Sequence, residues 1–93
     1  MIVGTLHVRL HLPDASSLKG KRFILHGLKE RLRQRFNISL SEVGEKDLWQ
    51  SADLAVAVVG DERRHLNQVL EQVKNQLSKI TTIRITDSIM EFF

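Results

Sequence analysis

Residues 52–59 read Ala-Asp-Leu-Ala-Val-Ala-Val-Val, a nearly continuous run of apolar and β-branched side chains. Such a run is typical of a central strand that has neighbouring strands on both sides. Residues 2–12 alternate instead, with polar side chains at odd positions from Thr5 onward and apolar ones between them. This alternation predicts a strand that is buried on one side only. With two weaker segments of the same kind, the predicted strands cover residues 2–12, 37–43, 52–59 and 81–92.

Two other segments repeat apolar side chains at steps of three and four residues, which is typical of amphipathic helices. The first predicted helix covers residues 17–36, and Ser16 or Ser17 is expected to be its N-cap. The second covers residues 61–79, and Gly60-Asp61 is expected to start it.

The predicted elements follow one another in the order βαββαβ. Because each helix joins two strands through a right-handed crossover, both helices are expected on one face of a four-stranded antiparallel sheet. We therefore predict an α+β protein with a ferredoxin-like fold, in which residues 1–93 form a single domain.

The composition excludes several classes of protein. Of the 93 residues, 42% are hydrophobic and 27% are charged, as in an ordinary globular domain. The chain has no cysteine, so disulfides, thiolate nucleophiles and cysteine-based metal sites are excluded. No apolar run approaches the roughly 20 residues that a membrane-spanning helix needs. We therefore expect a cytoplasmic protein that does not associate with a membrane.

Catalytic and metal-binding patterns are missing from the sequence. His7 and His11 share one strand face, but four residues of strand place them about 13 Å apart, too far to chelate one metal. Phosphatases of the acylphosphatase type share the predicted topology, yet residues 13–22 lack their glycine-rich turn and arginine placement. No catalytic residue, metal or cofactor is predicted, and an enzyme ranks below a binding module.

The positive charge is concentrated on the first helix. Residues 18–36 contain seven Lys or Arg residues and one Glu, although the net charge of the whole chain is only +3. Four of these Lys or Arg side chains and one histidine fall within about 80° of helical arc, and such a line can follow a phosphate backbone. The alternative is a solvated helix face that serves only solubility. The five candidate nucleic-acid-binding residues are Lys19, Arg22, His26, Lys29 and Arg33.

The sheet face away from the helices is a second candidate surface. Ala55 and Ala57 beside His7 and Arg9 would allow another sheet or a small ligand to approach closely. The aromatic side chains with which RNA-recognition sheets stack on bases are missing there. We therefore expect this face, the last strand or both to form a homodimer.

Two aromatic residues lie outside the apolar pattern. Phe23 is on the polar side of the first helix, and the favoured interpretation is that loops or a chain terminus cover it. Trp49 lies in the connection between the second and third strands, where a single tryptophan most often folds back as a lid on the core.

Three strings of the sequence together resemble the YlxP-like proteins, a bacterial family that carries a domain-of-unknown-function label. They are Ser17-Leu-Lys-Gly-Lys-Arg22, Arg31-Leu-Arg-Gln-Arg-Phe-Asn-Ile-Ser-Leu-Ser-Glu42 and Leu48-Trp-Gln50. The resemblance implies a ferredoxin-like fold, and a gene that often lies among those for transcription elongation, translation initiation and ribosome maturation factors. It supplies no catalytic or binding residue.

The leading hypothesis is a non-enzymatic accessory protein that binds structured RNA or a ribosomal particle through its first helix. The alternative is a homo-oligomeric or ligand-binding module that uses the open sheet face.

Overall fold

Four strands and two helices follow one another in the predicted order in the computed structural model, which describes residues 1–44 and 46–93. The strands form one antiparallel sheet in the order β2-β3-β1-β4. The predicted ferredoxin-like βαββαβ fold is confirmed. The elements are β1 (Ile2–His11), α1 (Leu18–Arg35), β2 (Ser39–Glu42), β3 (Ser51–Gly60), α2 (Arg63–Ser78) and β4 (Arg84–Phe92).

The sheet owes its one-sided burial to the alternation in β1. Leu6, Val8 and Leu10 are buried between the sheet and the helices, whereas His7 and Arg9 are exposed on the opposite side. β3 has β2 on one side and β1 on the other, so the prediction of a central strand is confirmed.

Both helices bury a leucine-rich stripe against the sheet. The core that results is a single cluster in which most side chains are less than 5% exposed. No helix in the described residues is both long enough and apolar enough to span a membrane. The buried helical residues are Lys21, Leu25, Leu28 and Leu32 in α1, and Leu66, Leu70, Val73 and Leu77 in α2.

The start of α2 differs from the prediction. Its N-cap is Glu62, whose side chain makes no capping hydrogen bond, so the expectation that Gly60-Asp61 starts the helix is wrong. Gly60 is instead the last residue of β3, and a Cβ atom there would lie 2.9 Å from Leu66 Cδ2. A glycine is favoured there because Leu66 of α2 packs closely on the end of the strand.

Asp87-Ser88 in the predicted last strand indicates a bulge or kink, and β4 contains a bulge close to that position. Arg9 pairs with Asp87, whereas Leu10 pairs with the residue two positions earlier, so Thr86 is the extra residue. The Thr86 hydroxyl donates a hydrogen bond to the Arg9 carbonyl at 3.3 Å. The sequence places the bulge at Asp87-Ser88, one residue further along.

Ser17 is the N-cap of α1, and its removal should weaken the fold. Its Oγ accepts a hydrogen bond from the Gly20 backbone N–H at 3.0 Å. We expect Ser17→Ala to lower the free energy of unfolding by about 1 kcal/mol, since a helix N–H loses its partner. Ser16→Ala is the matched control and should leave urea unfolding unchanged. Equal effects of the two substitutions would contradict the assignment.

Candidate functional site

The five predicted cationic residues share one flank of α1, which we call the basic stripe: Lys19, Arg22, His26, Lys29 and Arg33. Helical geometry places the stripe about 110° around the helix from the buried leucines. That flank lies beside β2, because Arg33 Nη2 donates a hydrogen bond to the Leu40 carbonyl at 2.9 Å. Lys29 is half-buried and the other four side chains are exposed. The structure therefore brings all five residues together on the surface.

Little negative charge opposes the basic stripe. Arg33 Nη1 lies 4.0 Å from Glu30 Oε1, and both side chains are about half exposed. Within the part of the chain that the structure describes, no other ion pair includes a stripe residue. An exposed pair at this distance contributes little stability. The stripe thus keeps its cations available to an external anion.

Lys21 is one of the seven Lys or Arg residues counted in the first helix, but it is not part of the basic surface of α1. It is only 1% exposed. Its Nζ donates a hydrogen bond to the Leu48 carbonyl at 2.7 Å and lies 3.0 Å from Glu42 Oε2. Glu42 Oε2 is buried and has no aligned hydrogen bond among the described residues, so this contact is an ion pair. Lys21 therefore ties α1 to the connection between β2 and β3.

The sequence does contain a signal for this burial. Lys21 lies four residues before Leu25 and seven before Leu28, so it continues the apolar stripe of α1 toward its first turn. A lysine at such a position either extends its ammonium group past the core to water or finds an internal partner. Sequence reasoning counted its charge and overlooked its place on the helix.

On the sheet face without helices, β1 and β3 carry an ion-paired cluster. Arg9 Nε donates a hydrogen bond to Asp53 Oδ1 at 3.0 Å, and His7 Nε2 lies 3.8 Å from the same oxygen. Asp53 is 5% exposed although it points away from the helices. Arg9 and Asp53 are direct cross-strand partners, so only the strand register reveals the pair. The sequence alone does not connect the two positions, which are 44 residues apart.

Small residues continue this sheet face beyond the cluster. Of the two predicted alanines, Ala55 pairs with the predicted His7, whereas Ala57 pairs with Thr5 and the predicted Arg9 pairs with Asp53. We call this surface the open face. It also carries three large hydrophobic residues that are more than half exposed, namely Val59, Ile89 and Phe93.

Both aromatic residues outside the apolar pattern are exposed. Phe23 is 82% exposed, so the prediction that neighbouring segments cover it is wrong: helical geometry points it about 180° away from Leu32 and the core. Trp49 is 53% exposed and lines an open hollow with His11, so it is not a closed lid. The backbone on either side of it is fixed, since the Leu48 carbonyl accepts a hydrogen bond from Lys21 Nζ and the Gln50 carbonyl accepts one from the Leu12 N–H.

Metal ligands do not cluster in the described residues. There, no three His, Cys, Asp or Glu side chains come close enough together to hold a metal ion.

The element order and the one-sided helices define a ferredoxin-like α+β protein. A de novo designed protein with a ferredoxin fold, solved by NMR in solution, aligns with a TM-score of 0.53 at 12% identity. The alignment covers 100% of this chain and 84% of the design. At this identity the likeness concerns the fold alone.

The sequence places the chain in a particular family. Residues 3–90 match the model of the family described as protein of unknown function (DUF503). The chain is also 30% identical over 92 residues to the uncharacterized protein YlxP of Bacillus subtilis (strain 168). This alignment covers 99% of this chain and 100% of that protein. The chain belongs to the DUF503 family, and the predicted resemblance to YlxP-like proteins is confirmed.

Proposed function

We propose that this protein is a non-enzymatic accessory protein that binds structured RNA, as a ribosomal particle presents it, through the basic stripe of α1. The observation that carries the proposal is the exposure of the stripe on one flank, where Glu30 is the single anionic partner in the described residues. An RNA backbone is the extended polyanion that such a line of cations fits.

The dimensions of the stripe support this partner. Lys19 and Arg33 are fourteen residues apart, which corresponds to about 21 Å along a helix. Four permanently charged side chains over that length can contact several phosphates of one backbone. Arg33 already has one guanidinium nitrogen bound to the Leu40 carbonyl, which restricts its rotamers. An arginine held in this way loses less side-chain entropy when it binds a phosphate.

The gene neighbourhood that the family resemblance implies, among translation and ribosome maturation factors, agrees with this partner. The exposed Phe23 lies four residues after Lys19, on the outer side of α1. An exposed aromatic ring near cations can stack on an unpaired base.

Salt dependence tests the proposal most directly. If Lys19, Arg22, Lys29 and Arg33 contact phosphates, the slope of log affinity against log salt should be about −2.8 to −3.6, at about −0.7 to −0.9 per contact. Raising the salt fourfold should then weaken binding by about 50- to 150-fold. The affinity for a labelled ribosomal RNA fragment is measured by fluorescence anisotropy, and co-sedimentation with ribosomal subunits extends the test. Changing the four residues to Gln should flatten the slope and leave the circular dichroism spectrum unchanged.

A matched variant separates the stripe from net charge. Changing Lys46, Arg64, Lys74 and Lys79 to Gln removes the same number of positive charges from exposed or half-buried positions outside α1 and the sheet. This variant should retain most of the affinity. Equal losses in the two variants would show that net charge alone drives binding, and they would overturn the proposal. Unchanged co-sedimentation of the stripe variant would overturn it as well.

A further inference from the structure

The open face has a bulky half and a small half. Along β1 and β4 it presents several long side chains, and along β2 and β3 it presents mostly alanine and serine. In the two central rows of paired residues, a long side chain on one half therefore lies level with short ones on the other. The rows, read from β2 to β4, are Ser39-Ala57-Thr5-Glu91 and Ser41-Ala55-His7-Ile89.

We infer that the open face binds a second copy of this chain, related by a two-fold axis that runs parallel to the strands between β1 and β3. Such an axis places β1 of one copy over β3 of the other, and β4 over β2. Each row of paired residues in one copy then lies over the same row in the other copy. His7 then lies over the partner's Ala55, and Ile89 lies over the partner's Ser41. Long side chains fill the space above short ones, as packed sheets about 10 Å apart require.

The charges on the open face match under the same operation. Arg9 lies between Asp53 and Asp87 in one row, and the axis places Arg9 over the partner's Asp53 and Asp53 over the partner's Arg9. The two Arg9–Asp53 pairs therefore alternate in sign across the interface, and Asp87 lies outside them on β4. An axis perpendicular to the strands would instead stack β1 on β1, and a long side chain such as His7 would face its own copy. The shape and the charge of the face therefore select the same axis.

The area and the exposed apolar side chains suit a dimer. β1, β3 and β4 are nine or ten residues long and β2 is four residues long, so strands about 4.8 Å apart present about 540 Å² per copy, or about 1,100 Å² in total. This is slightly below the roughly 1,200–2,000 Å² of standard stable interfaces and above the roughly 1,000 Å² expected of a biological one. Val59, Ile89 and Phe93 lose water there, and the axis sets Val59 over the partner's Val3. Two copies thus cover the apolar side chains that one copy leaves exposed.

RNA does not fit the open face. The face carries two arginines and three carboxylates, so nucleic acid gains no counterion release there. In the proposed dimer the two sheets face each other and the helices lie outside them. Both basic stripes therefore remain on the outer surface. The dimer therefore goes beyond the proposed RNA binding, and each can fail without the other. The charged residues of the face are Arg9, Arg84, Asp53, Asp87 and Glu91.

The mass in solution is the first test. Light scattering at high micromolar concentration should give twice the 10.7 kDa of one chain. Ala55→Arg places a long cation where the partner's His7 must pack, and it should raise the dimer dissociation constant at least about 100-fold. Ala55→Ser is the matched control and should remain dimeric. A monomeric wild type, or an Ala55→Arg variant that keeps its native circular dichroism spectrum and the dimer mass, would overturn the inference.

Crosslinking tests the axis itself, and the absence of native cysteine makes it simple. Under the proposed axis, Ile89 of one copy lies about 10 Å from the partner's Ser41, whereas the two copies of Ile89 are about 17 Å apart. A mixture of Ile89→Cys and Ser41→Cys chains should form a mixed dimer with a short bismaleimide. Ile89→Cys alone should react poorly. Stronger crosslinking of Ile89→Cys to itself would overturn the proposed axis.

Discussion

Replacing Glu42 by alanine should lower the free energy of unfolding by about 3 kcal/mol, toward the lower end of the 3–5 kcal/mol typical of a broken buried ion pair. The cause is Lys21, whose ammonium group is 3.0 Å from the Glu42 carboxylate and whose side chain is only 2% exposed. Without the carboxylate, a buried positive charge loses a compensating negative one. The remaining hydrogen bond from Lys21 to the Leu48 carbonyl limits the loss. Urea unfolding followed by circular dichroism measures the effect.

A double-mutant cycle assigns this effect to the ion pair. In a Lys21→Met background no ammonium group remains, and we expect Glu42→Ala to cost less than about 1 kcal/mol, so that most of the effect appears as coupling. Glu30→Ala, at the half-exposed pair with Arg33, is the surface control and should change stability by no more than about 0.5 kcal/mol. Equal costs of Glu42→Ala in both backgrounds would show that the carboxylate acts through some other contact.

Truncating Leu70 to alanine should cost about 2–5 kcal/mol, because the substitution leaves a cavity in a closely packed core. Leu70 is 0% exposed in α2. A Cβ atom at Gly4 of β1 would lie 3.1 Å from Leu70 Cδ1 and 3.3 Å from Phe92 Cε1. Gly4→Ala alone should therefore cost about 1 kcal/mol or more through overpacking.

The two substitutions should compensate each other in part. The methyl group added at Gly4 points toward the space that Leu70→Ala empties, so the double variant should be more stable than the sum of the single effects predicts. Glu71→Ala, at the exposed neighbouring position of α2, is the control and should be close to neutral. Thermal unfolding of the wild type, the two single variants and the double variant measures the coupling between the two positions. Strict additivity would mean that the two positions do not share one space.

The helices and strands could be predicted closely because their signals are local. α1 was predicted at 17–36 and is found at Leu18–Arg35, since a period of 3.6 residues needs no information from elsewhere. The first residue of β4 was less predictable: the predicted strand begins at residue 81, whereas β4 begins at Arg84. β1 ends at His11, which pairs with Arg84, so the three residues before Arg84 have no strand to pair with. A strand boundary depends on its partner's boundary, and that lies far away in the sequence.

The sequence by itself determined the order of the elements, the family and the position of the basic stripe, because all of these depend on neighbouring residues or on composition. Only the tertiary structure decided what becomes of Lys21, Asp53 and Phe23. Lys21 is buried because the Leu48 carbonyl and Glu42 reach it from outside α1. Asp53 pairs with Arg9, 44 residues away, through the strand register. Phe23 is exposed because no other segment covers it within the described residues. Each outcome depends on which distant segments of the chain come into contact. Those contacts are set by the packing and strand register of the whole fold, and the local repeat of apolar residues does not reveal them.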